Sequence, residues 1–323
     1  MHVAARIGQC DYSGQYCQDG ALVAAHQAKC ARFFGIDHVN VSTDAYREAH
    51  AWGVQLDFNY HTPIAKSELN IEEFDQIEPP EVASEVRMQD RIKAIKILKE
   101  TIGNEYAIVG WIEAPFAELC SIFGINPIIG LFKSEEGRKR MQQLFTRILP
   151  IQHEFAMQQI EAGADIIGAG DSMVSQIGPR NYARTAFSPT QTLFTKICQK
   201  APVLYHLCGD NSGITGDGYD MLQLVADTGA SVLDLDFQVD LSLAKQKIGH
   251  KVCIRGNVNT QVLGSTIYSL ERVREEIKNT ILAGKPGGRY MYAAGCEVPW
   301  DPWDLSIRNL AIAHSLTEEI GWY

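Results

Sequence analysis

The sequence predicts an α/β protein of the (β/α)8 TIM-barrel class, and three observations carry that expectation. From about residue 106 onward, short β-branched runs alternate with amphipathic stretches at helical spacing. The connections are short, which implies parallel strands joined by right-handed crossovers. Distinctive polar residues recur just after the strands: Asp44, Glu113, Asp171 with Ser172, His206 with Cys208, Asp234 and Asp236, Asn257 with Asn259, and Cys296 with Glu297. A closed barrel gathers such positions at its C-terminal mouth, whereas an open sheet spreads them along an edge.

The N-terminal third is the least legible. A helix over residues 21–34 leads into a strand at 37–43 (DHVNVST). Residues 58–78 read as irregular surface chain and 83–101 as a helix ending near Gly103. Strands follow at 106–110, 165–168, 203–206, 232–235, 252–255 and 290–293. Between them the periodicity predicts helices near 135–162, 189–200, 219–228, 241–248, 270–283 and 304–321. One further strand in the N-terminal segment would bring the count to eight. No linker, low-complexity run or composition break divides the chain, so residues 1–323 read as a single domain.

Composition narrows the function classes. Hydrophobic residues at 46% with 21% charged suit a globular protein with a full core. A formal net charge of −10, with Lys and Arg scattered, disfavours nucleic acid and anionic membrane as partners. No apolar stretch reaches the ~20 residues that span a bilayer. The opening MHVAARIGQC lacks a secretory pattern, so the cytoplasm is the expected compartment and the eight cysteines are expected as free thiols or ligands. Cys120, Cys198 and Cys253 read as buried packing, while Cys10, Cys17 and Cys30 have no assignment from context. Tyr205, Tyr290 and Tyr292 fall in strands as core or pocket lining. GAGDSM after the 165–168 strand has two glycines but not the third of a dinucleotide fingerprint.

YHLCGD, residues 205–210, is the most informative stretch. His206 and Cys208 are two apart, so at a strand end both side chains project to one side. An imidazole and a thiolate can then share one ion, with Cys296 in AAGCEVP as the proposed third ligand. Two thiolates and one imidazole form a soft set suited to zinc. Three protein ligands leave an open fourth position, the mark of a catalytic site. Zinc so held suits binding an exogenous thiol as its thiolate; hydrolysis by a zinc hydroxide, with Glu297 or Asp171 as base, is the competing use.

Among the other candidates, Asp171 either lines the pocket as a catalytic carboxylate or fixes its own loop. Glu113 in WIEAPF points toward the barrel mouth as a catalytic or substrate-contacting group. Asp234 and Asp236 either face the metal, one of them as a fourth ligand, or orient His206. Asn257 and Asn259 bind substrate or cofactor, or satisfy a turn. Trp300 and Trp303 in PWDPWD wall a substrate pocket, face a partner, or pack under the last helix. DNSGITGDG lacks the alternating oxygens of a calcium loop and reads as a lid or turn.

Taken together, FGIDHVNVSTDAYREAHAWG, WIEAPF, EAGADIIGAGDS, HLCGDNSG, LDLDFQVDLSLAKQKIG, IRGNVNT and GGRYMYAAGCEVPWDPWDLSIRNL resemble the uroporphyrinogen decarboxylase superfamily. Within it the chain is most similar to the zinc-dependent, corrinoid-linked methyltransferases, the branch that includes methylcobamide:coenzyme M methyltransferases. The resemblance implies the barrel fold, zinc on His206, Cys208 and Cys296, and a separate corrinoid (methylcobalamin) protein docking over the mouth. It implies methyl transfer to a small thiol such as coenzyme M. Other members of that branch work on the donor side, demethylating a methoxyaromatic or a methylated amine. The chain departs from true decarboxylases in lacking the Arg-rich N-terminal segment that would hold substrate carboxylates, and Cys296 stands where those enzymes tend to carry His. It also starts late, with the usual leading helix absent or very short. A homo-oligomer is compatible with the surface helices of a barrel.

Overall fold

The computed structural model describes residues 1–322 and has at its centre a curled sheet of seven parallel strands. In chain order the strands of the molecule are β1 (His38–Asn40), β2 (Leu56–Asp57), β3 (Ile64–Ala65), β4 (Ala107–Glu113), β5 (Ile166–Asp171), β6 (Val203–Leu207), β7 (Val232–Leu235), β8 (Cys253–Val258) and β9 (Tyr290–Ala294). The sheet runs β1-β4-β5-β6-β7-β8-β9, while β2 and β3 form a small antiparallel ribbon apart from it. All seven expected sheet strands are present. The eighth, expected in the N-terminal segment, is not. That segment forms the short helix His2–Gly8 and the helix Gly20–Phe34, and among the described residues the outer edges of β1 and β9 pair with no strand. The expectation of a closed eight-stranded ring is corrected accordingly to a seven-stranded, barrel-like half ring.

The helices form where local chemistry starts and stops them. Asp19 accepts a hydrogen bond from the Ala21 N–H to open Gly20–Phe34, and Gly35 ends that helix at φ 64°, a left-handed position that glycine adopts without strain. Ser134 caps the long helix Glu135–Glu161, whose first turn carries Glu135 and Glu136 against the helix dipole. Asp240 and Ser269 cap Leu241–Ile248 and Leu270–Gly284 in the same way. The apolar stripes of these helices close over the strands in one continuous core that includes Val39, Ile108, Ile167, Leu233 and Ile254. Residues 58–78 are mostly irregular as expected, although Phe74 is fully buried against Trp52 and Phe123. Cys120 is buried, but Cys198 is exposed and Cys253 half-buried, so the expected packing role is corrected for those two: each sits at an element end that the core does not cover. Among the described residues no single helix is long and apolar enough to cross a membrane.

Candidate metal centre

Residues paired directly across parallel strands share a face, so register fixes what meets in the barrel mouth. One row reads Glu113–Gly170–His206–Asp234–Arg255 from β4 to β8. These five residues, with Cys208 and Cys296, line a single cavity of about 410 Å³ that also takes in Asp44, Asp171, Ser172 and Glu297.

The structure brings His206, Cys208 and Cys296 together. One donor atom from each lies within 4.8 Å of the other two. His206 Nε2 is 3.1 Å from the Cys208 sulfur, which is 4.0 Å from the Cys296 sulfur. Nδ1 of the same imidazole meets Asp234 Oδ2 at 2.8 Å, and Arg255 donates to that oxygen at 2.6 Å. Burial alone would push Asp234 up, but Arg255 and His206 hold it below the usual carboxylate range. The ionised Asp234 therefore accepts the Nδ1 proton and turns the Nε2 lone pair toward the two sulfurs. Burial disfavours a charged His206, yet the Asp234 charge outweighs it and raises the imidazole to about 10. Hydrogen bonds from Cys208 and His206 lower Cys296 to about 5, and the same sharing raises Cys208. A soft cation displaces those shared protons, and the donor set fits zinc.

The second row of supports holds the loops. Asp236 accepts from the Gly209 N–H at 3.0 Å, and Gly209 turns at φ 79°, so the chain leaves Cys208 sharply. Asp234 orients His206 and Asp236 fixes the turn. Asp171 Oδ1 accepts from the N–H groups of Met173 and Val174, and its Oδ2 accepts from the Tyr205 hydroxyl at 3.1 Å. Burial raises Asp171 to about 6 against those three hydrogen bonds. The carboxylate thus fixes its own loop while lining the cavity.

Asn257, expected either to bind substrate or cofactor or to satisfy a turn, gives its amide to the backbone carbonyls of Asp236 and Val239 at 2.9 and 2.7 Å. Asn259 caps the short helix Thr260–Gly264. Trp300 lies in a neighbouring depression with Trp303, His2, Arg6 and His61, and does not line the cavity of the thiols. The glycines of GAGDS have a structural use that sequence reading did not supply. A Cβ on Gly168 would overlap the Trp111 ring, and one on Gly170 would stand 3.1 Å from it, so the two glycines form the shelf on which that indole lies beside His206.

Sequence reading also missed the groups around Glu113. Arg47 donates to Glu113 Oε1 at 2.9 Å, and the Glu113 N–H donates to Glu48 Oε1 at 2.8 Å. All three are buried. In REAHA, Arg47 and Glu48 look like the solvent face of a helix, and nothing local marks them otherwise.

A family model described as uroporphyrinogen decarboxylase (URO-D) matches residues 5–311. The uroporphyrinogen decarboxylase of Citrifermentans bemidjiense is 23% identical over 312 residues, covering 94% of this chain and 88% of its own. That of Geobacter metallireducens is 24% identical over 322 residues, with coverage of 94% and 88%. Among solved structures, a methyltransferase from Methanosarcina mazei superposes with a TM-score of 0.83 at 18% identity, covering 98% of this chain and 90% of its own. A B12-independent methionine synthase from Shewanella sp. W3-18-1 gives 0.59 at 11% identity, with coverage of 93% and 87%. At those identities the two structures share a fold with this chain.

Proposed function

The chain belongs to the uroporphyrinogen decarboxylase family, and from that membership we propose that it is a zinc-dependent methyltransferase, moving a methyl group between a corrinoid-carrying partner protein and a small thiol of the coenzyme M kind. The observation that carries the reading is the convergence of His206 Nε2 with the Cys208 and Cys296 sulfurs at the mouth of the strands. Zinc bound there would hold a thiol as its thiolate at neutral pH, the nucleophile that methyl transfer needs. Cys208 and Cys296 present their sulfurs to one side of the cavity. Asp234 keeps the imidazole aimed, and Arg255 keeps Asp234 ionised.

Charge on the cavity wall supports this reading over decarboxylation of a polycarboxylate. Asp44, Glu113, Asp171, Asp234 and Glu297 all line the cavity, and Arg255, the one Arg or Lys among the described lining residues, is already spent on Asp234. Asp44, Glu113 and Glu297 are likewise paired, with Arg87, Arg47 and the N-terminal ammonium, so among the described residues the wall keeps no Arg or Lys free to bind a substrate bearing many carboxylates.

Metal analysis of the purified protein tests the proposal. The expected result is about one zinc per chain in the wild type, lost in both Cys208→Ser and Cys296→Ser. The zinc-loaded wild type should demethylate methylcobalamin in the presence of a thiol. A wild type that takes up no zinc under reducing conditions overturns the proposal.

A further inference from the structure

Three buried glutamates meet around one arginine at the wall of the cavity. Glu48 lies on the helix Arg47–Ala51, Glu113 ends β4, and Glu118 lies on the helix Pro115–Phe123. Arg47 is 1% exposed, Glu48 and Glu118 are 0% and Glu113 is 5%. Arg47 reaches Glu113 Oε1 at 2.9 Å and Glu48 Oε2 at 3.9 Å. The nearby Asp44 is gripped on both oxygens by Arg87 at 3.0 and 2.6 Å, and Arg47 adds a weaker attraction to it. The three glutamates thus have one guanidinium among them, and Asp44 shares its field.

Both Glu118 oxygens and Glu48 Oε2 are buried with no hydrogen-bond partner among the described residues. An ionised carboxylate in that condition costs several kcal/mol, so Glu118 is held as the neutral acid and the cluster carries at least one proton. Only Glu113 opens to the cavity. Its neighbour in register is Gly170, over which the Trp111 indole lies, and beyond Gly170 stands His206, so the carboxyl and the metal-binding side face one cavity. A Cβ at Gly170 would lie 3.3 Å from Glu113 Oε2.

We infer that Glu113, backed by Arg47, Glu48 and Glu118, is the proton acceptor of this cavity, taking up the proton that a substrate thiol loses when it binds as thiolate. The inference rests on the thiol reading above. The S–H bond breaks, its electron pair stays on sulfur, and the proton forms an O–H bond at Glu113 Oε2. The Arg47 guanidinium at 2.9 Å favours the ionised Glu113 before the thiol arrives; Glu48 and Glu118 are positioning residues, and burial together with the Glu48 charge makes the carboxylate more basic than a solvated one. Burial raises Glu113, Arg47 works against that rise, and Glu48, Asp44 and Asp171 add to it.

Calorimetric titration of the zinc-loaded protein with 2-mercaptoethanol, repeated in buffers of different ionisation enthalpy, counts the protons released to solvent per thiol bound. Wild type should release close to none at pH 7, and Glu113→Gln about one, because the variant has no acceptor. A merely structural role would leave the two counts equal, and equal counts overturn the inference. Should the variant not fold, infrared difference spectra of the wild type decide. A protonated-carboxyl band that appears on thiol binding and shifts with 13C-glutamate labelling supports the acceptor, and its absence removes it. No binding heat at all in the zinc-loaded wild type overturns the thiol reading and this inference with it, whereas binding with equal proton release overturns the inference alone.

Discussion

A metal ligand is only as good as what holds it, and at the residue scale the decisive contact is Asp234 to His206. The carboxylate sits 2.8 Å from Nδ1 and is itself fixed by Arg255 at 2.6 Å, so ring orientation and tautomer are set from behind. Asp234→Asn keeps the volume but loses the charge, and its amide can turn a donor toward the imidazole. Zinc should still bind in the same amount, with affinity reduced ~10–100-fold. Competition against a coloured chelator measures this directly, and an unchanged affinity would show that Asp234 does not tune the ligand. His206 and Cys208 were legible as a pair because two residues of strand spacing suffice to put them on one side. Cys296 was legible only through the barrel, since 88 residues separate it from Cys208. Arg47, Glu48 and Glu118 were not legible. Charged residues in REAHA and FAEL carry the pattern of a solvated helix face, and only the tertiary fold buries them.

At the scale of elements, the shortness of β1 explains a set of polar residues that sequence periodicity leaves unaccounted for. β1 pairs with β4 only through Val109, and the N–H of Val41 makes the last bond across. Beyond that point, Trp111 and Glu113 still direct backbone groups to the side where β1 has ended, and a buried peptide group without a partner is costly. Side chains take over the pairing. Gln159 accepts from the Trp111 N–H at 2.7 Å and donates to its carbonyl at 3.0 Å. Gln152 donates to the Glu113 carbonyl at 2.8 Å, and Glu48 accepts from the Glu113 N–H. Gly110 makes this possible, because a Cβ there would lie 2.7 Å from Gln159 Oε1. Gln159→Leu keeps the bulk and strands both Trp111 groups, so urea denaturation should show a loss of about 2–5 kcal/mol. A loss under about 0.5 kcal/mol, the level of a surface substitution, would mean that the strand end finds other partners. The strands and most helices were readable from β-branched runs and helical periodicity, which are local signals. The short helices Arg47–Ala51, Pro115–Phe123 and Gly178–Arg184 were not, since one or two turns hold too few residues to set a period.

For the whole molecule, the seven-stranded half ring gathers most of the polar strand-end residues into one cavity, and the charge gathered there ties folding stability to pH. The eighth strand was expected by counting toward a closed ring, an argument from symmetry with no residue run behind it, and the N-terminal chain spends its apolar residues on helices instead. At the start of β1, His38 lines the cavity near Arg255. Burial lowers its pKa to about 4 from an ordinary 6.5, Arg255 adds to the fall, and Asp234 opposes it. The folded state therefore prefers the neutral imidazole, while the unfolded chain takes up a proton at its ordinary pKa. Stability from this residue is complete above pH 6.5 and is lost as pH falls toward 4. Unfolding free energies of the metal-free protein at pH 7.5 and pH 4.5 should fall by about 1–3 kcal/mol more in the wild type than in His38→Gln, which has nothing to protonate. Taking the difference between the two proteins cancels the remaining acid-sensitive groups, including His206 and the carboxylates around Arg47. Parallel pH curves for the two would mean that His38 is as easily protonated in the fold as in the open chain, and that the cavity wall at β1 admits water.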